Sequence, residues 1–176
     1  MPATSTTSWK DALVTTMSLE CDAARHLFTK LPAGEASLSY RPSPGQRSTL
    51  ELLRYLSSCG IGACRFALEG TWDGYQEVAR RGEAMPASEF PIAMDRQKRE
   101  IAELLSRFSD QDLATRPSKN PPGLPMPLGQ ALLDMPVRCL TGYRMQLFLY
   151  AKALGADLWT PDCWYGVSMP RPAGRA

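Results

Sequence analysis

Between Trp9 and Leu31 the apolar residues Leu13, Met17, Cys21, Ala24, Phe28 and Leu31 recur at steps of three and four, with no glycine or proline among them. A stripe of that period is one face of an amphipathic helix, and Pro32 and Gly34 mark its stop. Nowhere does the chain show the strict alternation of a half-buried strand. The same helical period returns three more times. Ser48-x-x-Glu51 is a capping box, in which each side chain satisfies a free amide of a first helical turn. It opens a helix from Thr49 to about Glu69 carrying two neighbouring stripes: Leu53, Leu56, Gly60, Ala63 and Ala67, then Leu52, Tyr55, Cys59, Gly62 and Phe66. A third helix starts near Pro91 and turns Met94, Gln97, Ile101, Leu104, Leu105 and Phe108 inward, its "DRQKRE" face lying in solvent. The fourth runs from about Leu128 to Leu154, with Leu132, Met135, Cys139, Tyr143, Gln146 and Tyr150 on one face and a kink expected at Pro136.

Three stretches read as connections. These are "AGEASLSYRPSPGQR", "GTWDGYQEVARRGEAMPASEF" with turn signals at Asp73-Gly74 and Met85-Pro86, and the proline-rich "SKNPPGLPMPLG" that follows "SDQDLATRP". The expected fold is all-α, a four-helix bundle with long crossover loops. A single domain over 1–176 is expected, with a core bundle at about 9–155 and an aromatic tail at 156–176. Gly60 and Gly62 cost roughly 1 kcal/mol each against alanine inside a helix. Close helix packing is the preferred compensation, over room for a ligand.

Charge and cysteine usage exclude several classes. Twenty basic against eighteen acidic side chains leave a net charge of +2 with no long basic run, so no nucleic-acid partner is expected. No window approaches the ~18 consecutive apolar residues of a membrane span, so no membrane partner is expected either. "MPATSTTSWKDALV" lacks the pattern of a secretory signal. Cys21, Cys59, Cys64, Cys139 and Cys163 are scattered, form no C-x-x-C pair and read as free thiols in a reducing, cytoplasmic setting.

Two segments carry a resemblance. "SLSYRPSPGQRSTLELLRYL" and "RCLTGYRMQLFLYAKALG" are similar to the DinB/YfiT-like superfamily of four-helix bundles, over roughly Trp9 to Gly155. The resemblance implies a site where metal-binding members place one histidine on the second helix and two more, four apart, on the last. Three imidazoles and an open position suit a catalytic divalent metal. Some members resemble thiol-dependent transferases or isomerases. Carried onto this chain, those ligand positions fall on Tyr55, Cys139 and Tyr143, and none is histidine. No metal and no cofactor are therefore expected.

Two tyrosines and a thiol read first as a filling of the space that metal and ligands occupy in such members. A Cys139 nucleophile would need a nearby cation, and neither Arg138 nor Arg144 lies one helical turn away. His26, the single histidine, is expected to make a surface pair with Asp22 one turn earlier. In the tail, Trp159, Trp164 and Tyr165 are expected to cap the bundle end. The leading expectation is a non-catalytic or small-molecule-binding protein with a degenerate metal site. The rivals are a thiol-linked transferase or hydrolase using the same cavity, and a structural or partner-binding homodimer; a homodimer is expected in any case.

Overall fold

The structure, a computed structural model, describes residues 8–172. Four long helical stretches build the bundle: α1 (Trp9–Thr29), α3 (Thr49–Glu69), α5 (Phe90–Ser106), and a last stretch running α7 (Leu128–Leu132), a π turn (Leu133–Val137) and α8 (Arg138–Ala153). Between them lie α2 (Glu35–Ser39), α4 (Asp73–Glu83), α6 (Asp110–Thr115) and a two-stranded antiparallel ribbon of β1 (Pro117–Lys119) and β2 (Pro125–Pro127); α9 (Thr160–Trp164) follows in the tail. α1 and α3 stand diagonally, each flanked by α5 and α8, while α4 lies along α3.

α1, α3 and α6 begin where side chains satisfy their first amides. Ser48 Oγ accepts from Glu51 N at 3.2 Å and Ser48 N donates to Glu51 Oε2 at 2.8 Å, completing the box at the head of α3. α1 is held by Ser8 and also by the Asp110 carboxylate, which accepts from Trp9 N and Lys10 N. An acidic group at a helix N-terminus complements its dipole. On α8 the buried line is Leu140, Arg144, Leu147 and Ala151, one residue on from the expected face, whose Cys139, Tyr143 and Gln146 are half-buried. Elsewhere the core largely follows the expected stripes, with Leu13, Met17, Leu52, Leu53, Leu56, Met94, Ile101, Leu105 and Leu132 buried. Each such side chain contributes about 1.5–3 kcal/mol on leaving water. Gln97, also buried, accepts from Gly60 N and Ile61 N and donates to Leu56 O, fastening α5 to the middle of α3.

Several expectations need correction. "GTWDGYQEVARRGE" is not a plain connection, because Asp73–Glu83 is the helix α4. It packs through glycines rather than through an apolar stripe: a Cβ at Gly82 would lie 2.6 Å from Arg54 O, and one at Gly62 of α3 would lie 2.8 Å from Tyr75 Cδ2. α2 and α6 are likewise short helices inside expected loops, the latter with a Ser109/Asp112 capping box. The proline-rich loop contains the β1–β2 ribbon, turned at Gly123 with φ +89°. At Pro136 the irregularity takes the form of the π turn. His26 bonds Asp162 of α9, Nε2 to Oδ1 at 2.8 Å, and Asp22 instead pairs with Lys98 of α5. The tail docks through Leu158, Pro161, Asp162 and Cys163, whereas Trp164 and Tyr165 are 52% and 71% exposed. The expected unit of 1–176 includes residues 1–7 and 173–176, which lie outside the described residues.

Candidate functional site

α3 and α8 present Tyr55, Cys139 and Tyr143 to one another. The capping box fixes the start of α3 and so the direction of Tyr55, two turns in. Cys139 and Tyr143, four apart, share a face of α8, and the π turn just before them sets where that face points. The rings of Tyr55 and Tyr143 meet edge to face with centroids 4.5 Å apart. Tyr55 Oη lies 3.9 Å from Cys139 Sγ.

Two further residues complete the arrangement, and the sequence reasoning assigned neither to it. Tyr75, from α4, donates its hydroxyl to Tyr55 Oη at 3.0 Å. Its ring fits against α3 because position 62 is glycine, and Trp72 meets it edge to face at 5.2 Å. Arg47, one residue before the helix cap, lays its guanidinium over the Tyr55 ring at 4.1 Å and near the Tyr143 ring at 5.5 Å. It is the cation that the comparison with Arg138 and Arg144 lacked. Arg138 instead pairs with Asp134, and Arg144 is buried against Glu20. No spacing signal marks Arg47, which lies outside the helix, one residue before its cap.

Beside this cluster opens a cleft of about 440 Å³, lined by Tyr55, Trp72, Tyr75, Met135, Cys139 and Tyr143 among others. Protons in the cluster are unevenly held. The Cys139 thiol is drawn below its ordinary range, first by a hydrogen bond from the Cys59 thiol and further by Tyr55 and the charge of Arg47, against the opposing effect of burial. Burial pushes the Cys59 thiol and the Tyr55 phenol well up, and Tyr75 up to about 12. Both phenols therefore stay neutral and spend their hydrogen bonds on each other and on the thiol.

That donor set does not fit the divalent metal which the resemblance implies. Neutral phenols are poor ligands, and one thiol with two phenols lacks the imidazoles that borderline metals prefer. Among the described residues, no three His, Cys, Asp or Glu side chains converge closely enough to hold a metal ion. Among the described residues, no helix is long and apolar enough to cross a membrane.

No family model matches the chain, and no curated protein matches it. A solved structure does: the crystal structure of the DinB-like protein YjoA from Bacillus subtilis, with a TM-score of 0.65 at 17% identity, covering 85% of this chain and 96% of that one. At that identity the likeness speaks for the fold alone, and the fold of this chain is that of an all-α, DinB-like helical bundle.

Proposed function

We propose that this protein binds a small molecule in the cleft between α3, α4 and α8, and that the cleft works without a metal. The observation that carries the reading is the coexistence of two features at one place. Tyr55, Cys139 and Tyr143 occupy the positions where the resemblance puts metal ligands, Tyr55 bonded to Cys139 and Tyr75 and packed edge to face on Tyr143, yet a cleft of about 440 Å³ stays open beside them. A pocket of that size matches small ligands, and its walls supply ring faces beside the Asp134–Arg138 ion pair. A flat, largely apolar molecule that stacks on Tyr143, Tyr75 and Trp72 fits those walls. The five free thiols suit a reducing compartment, which supports a cytoplasmic location. The exposed tail aromatics support a homodimer.

The test uses 1-anilinonaphthalene-8-sulfonate as a flat probe and untagged protein. Saturable binding near one per chain is expected, weakened roughly tenfold (about 1.4 kcal/mol) in Trp72→Ala and Tyr143→Ala, with Trp164→Ala unchanged. Elemental analysis should find far less than one metal per chain, and added zinc or nickel should leave the melting temperature unmoved, since a ligand of the native state raises it. Probe binding indifferent to both cleft variants would overturn the binding reading. Stoichiometric metal that survives dialysis and vanishes in Cys139→Ser would restore a metal site.

A further inference from the structure

The arginines around the cleft differ in what answers their charge. Arg138 pairs with Asp134. Arg41 donates to Glu51 Oε1 at 2.7 Å and to Gln46 O at 2.6 Å. The other Glu51 oxygen accepts from Ser48 N at 2.8 Å, so both oxygens of that carboxylate are engaged. Arg54 donates its Nε to Met85 O at 2.9 Å. Among the described residues the Arg47 guanidinium has no ion pair and no hydrogen bond, and it lies against the rings of Tyr55 and Tyr143. Its backbone is nevertheless held. Tyr150 of α8 donates its hydroxyl to Arg47 O at 2.9 Å, and the next residue, Ser48, caps α3. A half-buried charge without a counter-ion is costly, and one fixed in advance is a ready anchor for an anion.

Tyr143 connects that anchor to the cleft. Its ring lines the 440 Å³ cleft and also a second open cavity of about 560 Å³, whose walls include Gln46, Arg47 and Gln146. One side chain thus divides an aromatic space from a polar one that holds Arg47. Gln46 uses its Oε1 toward Tyr150 Oη at 3.4 Å, which leaves its NH2 group without a partner among the described residues. We propose that the ligand of the cleft is a flat aromatic carboxylate, resting on the small-molecule reading of that cleft and adding the ligand's charge and the residue that reads it. The aromatic part lies against Tyr143 in the cleft, and the carboxylate reaches past the Tyr143 ring to Arg47. A guanidinium presents a planar fork of donors that matches the two oxygens of a carboxylate. Glu51 lines the same polar cavity and repels a doubly charged group more strongly than a singly charged one. Arg47 therefore selects a monoacid over a neutral molecule of the same shape.

The experiment holds shape constant and changes charge. N-phenyl-1-naphthylamine, a neutral fluorescent probe, reports occupancy of the cleft in the untagged full-length chain at neutral pH, and 2-naphthoate and 2-naphthamide compete with it. Naphthoate should displace the probe at roughly tenfold lower concentration than naphthamide, and rising salt should narrow the difference. Arg47→Met should remove the preference while displacement by naphthamide and the melting temperature stay as they were. Arg47→Lys, which serves if methionine disturbs the loop, should reduce the preference because it keeps the charge and loses the fork. Equal displacement by acid and amide, or a preference that survives Arg47→Met, would overturn the proposal and leave the cleft reading standing. So would a preference that Arg138→Gln abolishes and Arg47→Met does not. Probe binding that ignores both Trp72→Ala and Tyr143→Ala would strike the cleft reading and the proposal together.

Discussion

Tyr55 spends its hydroxyl twice. Its oxygen accepts from Tyr75 at 3.0 Å, which leaves its own proton directed at Cys139 Sγ, 3.9 Å away. A donor aimed at sulfur favours the thiolate over the thiol, and Arg47 adds positive charge from across the ring. Tyr55→Phe removes the donor and keeps the ring contact with Tyr143. Because the Cys139 pKa is lowered in the folded protein, taking away one cause of the lowering must raise it. The pH–rate profile for alkylation of Cys139 by iodoacetamide should therefore move to higher pH, with stability lower by about 1 kcal/mol for the lost Tyr75 bond. An unmoved profile would show that the hydroxyl does not hold the thiolate. Tyr55, Cys139 and Tyr143 were legible because the family resemblance marks them as ligand positions, the four-residue spacing adding only that the last two share a face of α8. Arg47 was not, because stacking of a cation on a ring leaves no spacing signature.

At the level of elements, legibility followed the kind of packing. α1, α3 and α5 bury leucine, isoleucine and methionine stripes that can be read directly, whereas α8 buries Leu140, Arg144, Leu147 and Ala151, one residue beside the face expected for it, because a buried arginine hides the stripe. α4 buries only Gly74, Val78 and Gly82, so its inward face looks like a set of turn signals. The missed helix is the one that delivers Tyr75 to the site. Its outward face did carry a signal in Glu77 and Arg81, four apart and paired at 3.5 Å. Gly60 and Gly62 were read as packing residues, and their neighbours agree: Leu140 fills the space at one and the Tyr75 ring the space at the other. The head of α3 offers the cleanest test at this scale. Ser48 and Glu51 satisfy two first-turn amides, so Ser48→Ala should cost about 1 kcal/mol. A lower midpoint in chemical denaturation with an unchanged slope is the expected reading. A midpoint that stays put would mean that Glu51 alone, paired with Arg41, suffices to start the helix.

For the whole molecule the tail decides what remains exposed. Arg144, 1% exposed, donates to Glu20 at 2.6 Å and to Cys163 O at 2.9 Å, so a charge inside the bundle anchors the segment after α8. Asp162 ties the same segment to α1 through His26 and starts α9 by accepting from Trp159 N at 3.1 Å. With the inward positions taken by Leu158, Pro161 and Cys163, the large apolar residues Trp164, Tyr165, Val167 and Met169 are left facing out. Expecting the aromatics to cap the bundle weighed size and overlooked that a buried arginine needs carbonyl and carboxylate partners. Exposed apolar side chains gathered on one short segment mark a contact surface, and two-fold pairing is the commonest way for one chain to cover it. A stable pair needs about 800 Å² buried on each partner, more than these four side chains supply, so the contact should extend onto exposed Leu149 of α8. Sedimentation equilibrium should then find a species of twice the 19.4 kDa chain mass. Trp164→Asp combined with Tyr165→Asp should shift it to the monomer while helix content is kept. A single 19.4 kDa species at tens of micromolar would sink the dimer. A dimer that survives both substitutions would move its interface off the tail.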